Sequence, residues 1–208
     1  GAQFTPFSRL KGVLRLRLFP KITLHIEEPV RFKAPDDLAA RDRRSWLAEA
    51  LYDQMSNLMF STSVTNRTLF ESVIDARRVH GGKQVVLEDV ERSPLNYSKL
   101  ILASFVLGRR IKKHTRARDN VGLMLPNSVG AVVTFFALQA FGRVPAMLNY
   151  STGIKNLKAA CTAAGVTTIL TSKRFIELGG LDDIAEALAE DHELVFLEDI
   201  KAKIGIGD

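Results

Sequence analysis

The sequence lacks the residues that build disulfide or zinc frameworks, and it lacks a long apolar run. Cys161 is the only cysteine among 208 residues, so no internal disulfide and no cysteine-rich zinc site can form. The four histidines are scattered without metal-ligand spacing. The longest mainly apolar run, VGAVVTFFALQAFG at 129–142, is shorter than the roughly 20 residues that span a bilayer. These absences favour a folded, soluble protein of a reducing compartment.

The start of the chain lacks the charged and then apolar pattern, and the cleavage site, of a secretory signal. It opens on Gly1-Ala2 and not on methionine, which predicts a piece of a longer protein. Its length allows one large domain, or one domain and part of another.

Positive charge is in excess and unevenly placed. The net charge is +6, residues 1–33 hold seven Lys/Arg against two acids, and RRIKKHTRAR at 109–118 holds six and no acid. Acidic residues dominate 182–193. Such runs are most often solvated faces. The alternative hypothesis is a binding module with a basic surface for anionic lipid or nucleic acid.

A membrane surface is the better anionic partner for the first basic run, at about 1 kcal/mol per residue. The residues expected to contact it are Arg9, Lys11, Arg15, Arg17 and Lys21. The run at 109–118 lacks interleaved aromatic residues, a zinc framework or a helix-turn-helix, so we expect no nucleic-acid partner.

Hydropathy divides the chain into two parts that differ in kind. Residues 13–26 alternate in polarity, which predicts a strand interrupted at Pro20. Asp36 or Asp37 is expected to cap a helix that runs to about Phe60. The polar stretch at 61–68 then marks a boundary. We therefore predict one part at 1–62 and a second at 63–208.

The second part alternates strands and helices. Its later strands are continuously apolar, which is typical of a parallel sheet buried on both faces and predicts an α/β fold. Thr68 and Glu71 form the sequence pattern of a capping box at its first helix. The predicted strands are 84–88, 121–126, 144–148, 167–172 and 194–199, and the predicted helices are 98–113, 128–141, 153–164 and 181–190.

The hexapeptide HTRARD, at 114–119, has the histidine–aspartate spacing of glycerolipid acyltransferases. In that chemistry the histidine is a general base on a hydroxyl and the aspartate orients it. His114 instead ends a predicted helix among cations that complement its dipole, and Asp119 leads into a strand as a turn residue does. No Glu-Gly-Thr motif follows. We therefore favour a turn over a catalytic pair.

Residues 121–160 resemble the N-terminal part of adenylate-forming acyl ligases. The likeness lies in Leu125-Pro126-Asn127 after one strand and Leu148-Asn149-Tyr150 after the next. FTPFSRLKG and RLRLFPKITLHI resemble the end of a glycerophospholipid acyltransferase domain. Joined in this order, with PAMLNYSTGIKNL and VFLEDIKA, the halves resemble a bacterial bifunctional family, the 2-acylglycerophosphoethanolamine acyltransferase/acyl–acyl-carrier-protein synthetases.

The resemblance implies a mostly parallel sheet with flanking helices at 63–208, preceded by a strand-plus-helix acyltransferase tail at 1–62. It implies a parent enzyme that acylates lysophosphatidylethanolamine and ligates fatty acid to acyl carrier protein with ATP and Mg²⁺. Such enzymes work at the cytoplasmic side of the bacterial inner membrane.

The family's catalytic motifs are expected before residue 1 and after residue 208. His80-Gly81-Gly82-Lys83 lacks the upstream glycine of a phosphate loop. Cys161 lies between small residues and Ser128 precedes a helix, so a packing role and an N-cap are favoured over nucleophiles. We therefore assign no catalytic, cofactor-binding or metal-binding residue, and expect the chain alone to be inactive.

Overall fold

The computed structural model describes residues 19, 23–63, 65–90 and 94–202. The chain divides after Arg67 into two compact units. Across these described ranges, no helix combines the length and hydropathy that crossing a membrane requires.

The first unit contains helix α1 (Ala40–Ser61). The predicted cap at Asp36 or Asp37 is wrong, because α1 begins at Ala40 and its N-cap, Ala39, makes no side-chain hydrogen bond. Residues 36–38 form a turn instead, and the Arg43 guanidinium donates to the Asp36 carbonyl at 3.0 Å.

The strand predicted at 13–26 lies largely outside the described residues, and the described part, residues 19 and 23–26, contains no strand. The side chains of Leu24 and Ile26 are 80% and 83% exposed. An alternating pattern specifies a strand only where one of its faces is buried, and these two side chains are exposed.

The second unit is an α/β fold. Its elements in chain order are α2 (Leu69–His80), β1 (Val85–Leu87), β2 (Leu95–Asn96), α3 (Tyr97–Ile111), β3 (Asn120–Leu123), α4 (Val129–Ala140), β4 (Val144–Met147), a 3-10 turn (Tyr150–Thr152), α5 (Ile154–Ala164), β5 (Thr168–Thr171), α6 (Lys173–Gly179), α7 (Asp182–Ala189), β6 (Glu193–Phe196) and α8 (Leu197–Lys201).

The main sheet has the strand order β4-β3-β5-β6, and every pairing in it is parallel. The two central strands, β3 and β5, are almost wholly buried, whereas the outer strands are partly exposed. Pro145 lies in the outer strand β4, where a missing backbone donor is tolerated. Strands β1 and β2 form a separate antiparallel pair.

Helices cover both faces of this sheet. On one face, Leu107 of α3 and Leu138 of α4 share a core with Leu123 and Leu170. On the other face, Leu157 of α5 and Leu188 of α7 pack with Ile169. Strand β5 supplies side chains to both cores, whereas β3 supplies Val121 and Leu123 to the first, and Met124, just after β3, belongs to the second. Both segments are therefore apolar at successive positions.

The helix starts follow local sequence signals. The Thr68 hydroxyl accepts from the Glu71 amide at 3.1 Å, and the Glu71 carboxylate accepts from the Thr68 amide at 2.7 Å, so the predicted capping box is confirmed. Ser128 caps α4 by accepting from the Ala131 amide. These caps satisfy backbone donors that have no partner inside the helix.

Candidate functional site

The candidate ligand-binding surface is the edge at which the four parallel strands end. In open α/β sheets, ligands bind outside the carboxyl ends of the strands, where the strand order reverses. The chain leaves β3 for β4 on one side and leaves β5 for β6 on the other. The reversal therefore lies between β3 and β5.

Buried hydrogen bonds hold the loop after β3. The Thr171 hydroxyl, at the end of β5, donates to the Met124 carbonyl at 2.8 Å, and Thr171 is fully buried. The Val129 amide, at the start of α4, donates to the Asp89 carboxylate at 3.0 Å. These bonds leave Asn127 exposed at the surface of this loop.

The loop after β4 presents an amide and an aromatic side chain. The Asn149 carboxamide oxygen accepts from the Ser151 amide at 3.1 Å and from its hydroxyl at 2.7 Å. This local turn places the Tyr150 ring edge-on to Phe175 of α6, with 5.0 Å between the ring centroids. The loop after β4 and the helix after β5 therefore meet at this edge.

Glu198 of α8, the helix that directly follows β6, ties this helix to the start of α6, the helix after β5. Its carboxylate accepts from the Ser172 hydroxyl at 2.6 Å and from the Lys173 amide at 3.1 Å. Burial raises the pKa of Glu198, but these hydrogen bonds, with those from backbone amides including its own, outweigh burial and lower the pKa below its usual value of 4.5. The Lys173 ammonium lies 2.5 Å from the Asp199 carboxylate.

The polar groups described at this edge bind one another: the Lys173 amide donates to Glu198 and the Lys173 ammonium pairs with Asp199. The Ser172 hydroxyl is occupied, because it donates to Glu198 and accepts from the Phe175 amide. In the described ranges, no group of three or more His, Cys, Asp or Glu residues could hold a metal ion. We assign the side chains at this edge no catalytic step.

The hexapeptide at 114–119 lies at the opposite edge of the sheet, before β3. The Asp119 carboxylate accepts from the Arg116 amide at 2.6 Å, as a turn residue does. His114 Nδ1 lies 3.5 Å from a Glu193 carboxylate oxygen. His114 and Asp119 therefore have different partners, in agreement with the turn interpretation.

The remaining candidate residues are Cys161 and the predicted membrane contacts. Cys161 is fully buried, and burial raises its pKa, which disfavours the reactive thiolate. The predicted membrane contacts cannot be placed, because all five lie outside the described residues: Arg9, Lys11, Arg15, Arg17 and Lys21.

Two side chains that shape the carboxyl edge, Asp89 and Glu198, were not predicted from the sequence. Asp89 meets α4 from 40 positions away, so no local pattern marks it. Glu198 was assigned to the last strand, but β6 ends at Phe196. Ser172 before an amphipathic segment was the available signal for a capped helix α6.

The sequence model that describes the AMP-binding enzyme family matches residues 75–204, which is more than half of the chain. The chain belongs to the AMP-binding enzyme family. The predicted α/β fold with a parallel sheet and flanking helices is confirmed by solved members of this fold.

Two such structures illustrate the likeness. One is the N-terminal subdomain of NpsA from Klebsiella oxytoca with 3-hydroxybenzoyl-AMSN, at 13% identity, TM-score 0.52 and 66% coverage of this chain. The other is O-succinylbenzoate coenzyme A synthetase from Bacillus subtilis with AMP, at 14% identity, TM-score 0.53 and 63% coverage. This chain covers 31% and 32% of those two chains, about a third of each.

Proposed function

We propose that this AMP-binding chain contributes the first parallel sheet to an acid–thiol ligase that forms an acyl-adenylate. The observation that carries the proposal is the family match over 75–204. The Bacillus relative was solved with ATP and a magnesium ion, and this supports including both in an assay. The sheet described above contributes scaffold and loop surface, and the catalytic groups belong to the rest of the enzyme.

We further propose a fatty acid as the acid and acyl carrier protein as the thiol. Support comes from the motifs Leu125-Pro126-Asn127 and Leu148-Asn149-Tyr150, which resemble those of acyl ligases. The acyltransferase-like segments before residue 27 support a second activity, acyl transfer to lysophosphatidylethanolamine at the cytoplasmic side of a bacterial inner membrane. Residues 1–62 would then be the C-terminal tail of that acyltransferase domain and a linker helix.

The decisive measurement is acid-dependent exchange of pyrophosphate into ATP. It compares this chain with the same chain extended through its natural downstream sequence, in the presence of Mg²⁺. The acids are a long-chain fatty acid, O-succinylbenzoate and 3-hydroxybenzoate. We expect exchange only in the extended protein, and only with the fatty acid.

Each other outcome contradicts a definite part of the proposal. Exchange with an aromatic acid alone would overturn the fatty-acid assignment and keep the adenylation. Exchange in neither protein would favour a non-catalytic interaction module. Exchange in the 208 residues alone would mean that the carboxyl edge contains an ATP site.

A further inference from the structure

Four exposed cations lie between the end of α3 and the start of β3. We refer to this group as the basic turn, and its members are Lys112, Lys113, Arg116 and Arg118. They lie at the amino edge of the sheet, away from the loops of the candidate site. The basic turn is also separate in sequence from the cations at residues 9–21.

The backbone of the basic turn is held in one conformation. The Arg116 amide donates to the Asp119 carboxylate at 2.6 Å, and the Arg118 amide donates to the Gly142 carbonyl at 2.7 Å. These two bonds tie the turn to itself and to the loop before β4.

A third tie comes from Arg143. Its guanidinium donates to the Thr115 carbonyl at 2.7 Å and to the Thr115 hydroxyl at 3.1 Å. Thr115 is buried, so the chain is anchored in the middle of the cationic segment. The exposed cations are therefore presented on a fixed backbone.

Arg118 adopts a backbone conformation that favours glycine. Its φ is 70°, and it is the single non-glycine residue with positive φ among those that the structure describes. A non-glycine residue pays a steric cost of about 1–2 kcal/mol in this left-handed region. A glycine at this position would relieve that cost.

The cations of the basic turn have no carboxylate partner within the described ranges. The nearby Asp119 carboxylate is engaged by the Arg116 backbone amide. Lys112 contacts a ring instead, with its ammonium 5.7 Å from the centroid of Phe141. By contrast, the acidic residues Glu190 and Asp191, which precede β6 at the same edge of the sheet, both form ion pairs with Lys158.

We propose that the basic turn is a contact surface for anionic phospholipid headgroups. A bilayer surface is laterally fluid, so it needs fixed positive charge and no complementary shape. A protein partner would need an apolar anchor at the centre of the interface. The exposed apolar side chains at or beside the turn include only small ones such as Ala117 and Val144, and the Val144 amide donates to the Asp119 carbonyl.

Nucleic acid fits the same surface less well. Single-stranded binding uses exposed aromatic faces on which bases stack. The aromatic ring next to the basic turn, Phe141, is half-buried and already faces Lys112. The inference concerns binding alone, so it does not depend on whether the protein ligates fatty acids.

The test is cosedimentation with vesicles, at low and physiological salt, without substrate. Vesicles of phosphatidylcholine are compared with vesicles that also contain phosphatidylglycerol. The variant reverses the basic turn, as K112E/K113E/R116E/R118E. The control, K83E/K99E/K155E/K201E, makes the same change in net charge at exposed lysines elsewhere in the second unit.

We expect the basic-turn variant to lose binding to anionic vesicles by about a hundredfold, and the control by no more than about threefold. Wild-type binding should weaken as salt increases. Equal losses in both variants would overturn the proposal, as would equal wild-type binding to neutral vesicles. So would loss of duplex or single-stranded DNA binding in the variant with vesicle binding unchanged.

Arg118→Gly gives an independent readout. Removal of backbone strain should raise the midpoint of thermal unfolding, while loss of the guanidinium should weaken vesicle binding by about fivefold. A structural role alone would change the stability without changing the binding. Unchanged vesicle binding in this variant would therefore contradict the proposal for Arg118.

Discussion

Gly108 of α3 lies close against the end of α4, and its replacement by alanine tests this packing directly. A Cβ atom at this position would lie 2.4 Å from one Phe141 ring carbon and 2.6 Å from another. It would also lie 2.8 Å from the Ala137 carbonyl oxygen. Favourable contacts between carbon atoms are at about 3.5–4.0 Å, so all three atoms would have to move.

Two opposing effects decide the sign of the change. Alanine is better than glycine inside a helix by about 1 kcal/mol. Overpacking a well-packed site typically costs about 1–3 kcal/mol. The Phe141 ring can turn away, but the Ala137 carbonyl belongs to the backbone of α4, so the helices must separate. We therefore expect Gly108→Ala to lower the free energy of unfolding by up to about 2 kcal/mol.

The control is Gly130→Ala in α4, where the nearest atom to the added Cβ would be the Ser128 hydroxyl oxygen at 3.6 Å. This variant should keep or slightly raise the stability, by up to about 1 kcal/mol. Urea unfolding followed by far-ultraviolet circular dichroism measures both. If Gly108→Ala were as stable as Gly130→Ala, the reasoning about helix contact would be refuted.

Three further changes test the second unit. Because its pKa is lowered in the folded state, the Glu198 carboxylate stabilises the fold above pH 4.5, and this contribution is lost as the pH falls through the folded-state pKa. When the urea concentration at half-unfolding is plotted against pH, Glu198→Gln should therefore show a smaller fall on the acid side. Thr171→Val should cost about 1–3 kcal/mol by removing the donor to the Met124 carbonyl, as measured by urea unfolding. Leu170→Ala should cost about 2–5 kcal/mol in the same assay, whereas the exposed Leu178→Ala should change stability by no more than about 0.5 kcal/mol.

Features encoded within a few residues were predictable. The Thr68 and Ser128 caps, each made with an amide three positions away, follow from local sequence. Apolar runs predicted the buried strands β3 and β5, because a strand covered on both faces cannot alternate in polarity. The observed ends of these strands differ from the predicted ends by one to three residues, because strand pairing and not hydropathy determines where a strand ends.

Features that depend on distant partners were not predictable from pattern. The contact of Asp89 with α4 joins residues 40 positions apart, and that of Glu198 with Ser172 joins residues 26 apart. Helix α8 was assigned to a strand because its first residue, Leu197, continues the apolar run of β6. In the first unit, the alternation before Glu27 predicted a strand, but the described residues 23–26 form no strand, and Leu24 and Ile26 are exposed.

The bond between Glu198 and the start of α6 closes residues 172–198 into a loop that both begins and ends at the carboxyl edge. Strand β6 and helix α7 lie inside this loop, so detaching β6 from β5 also withdraws the carboxylate from the Lys173 amide. The amide protons of β6 and of the first turn of α6 should therefore exchange with solvent in a single opening event. The candidate site and strand β6 then have the same free energy of local opening. A ligand that binds either of them should slow hydrogen exchange in both.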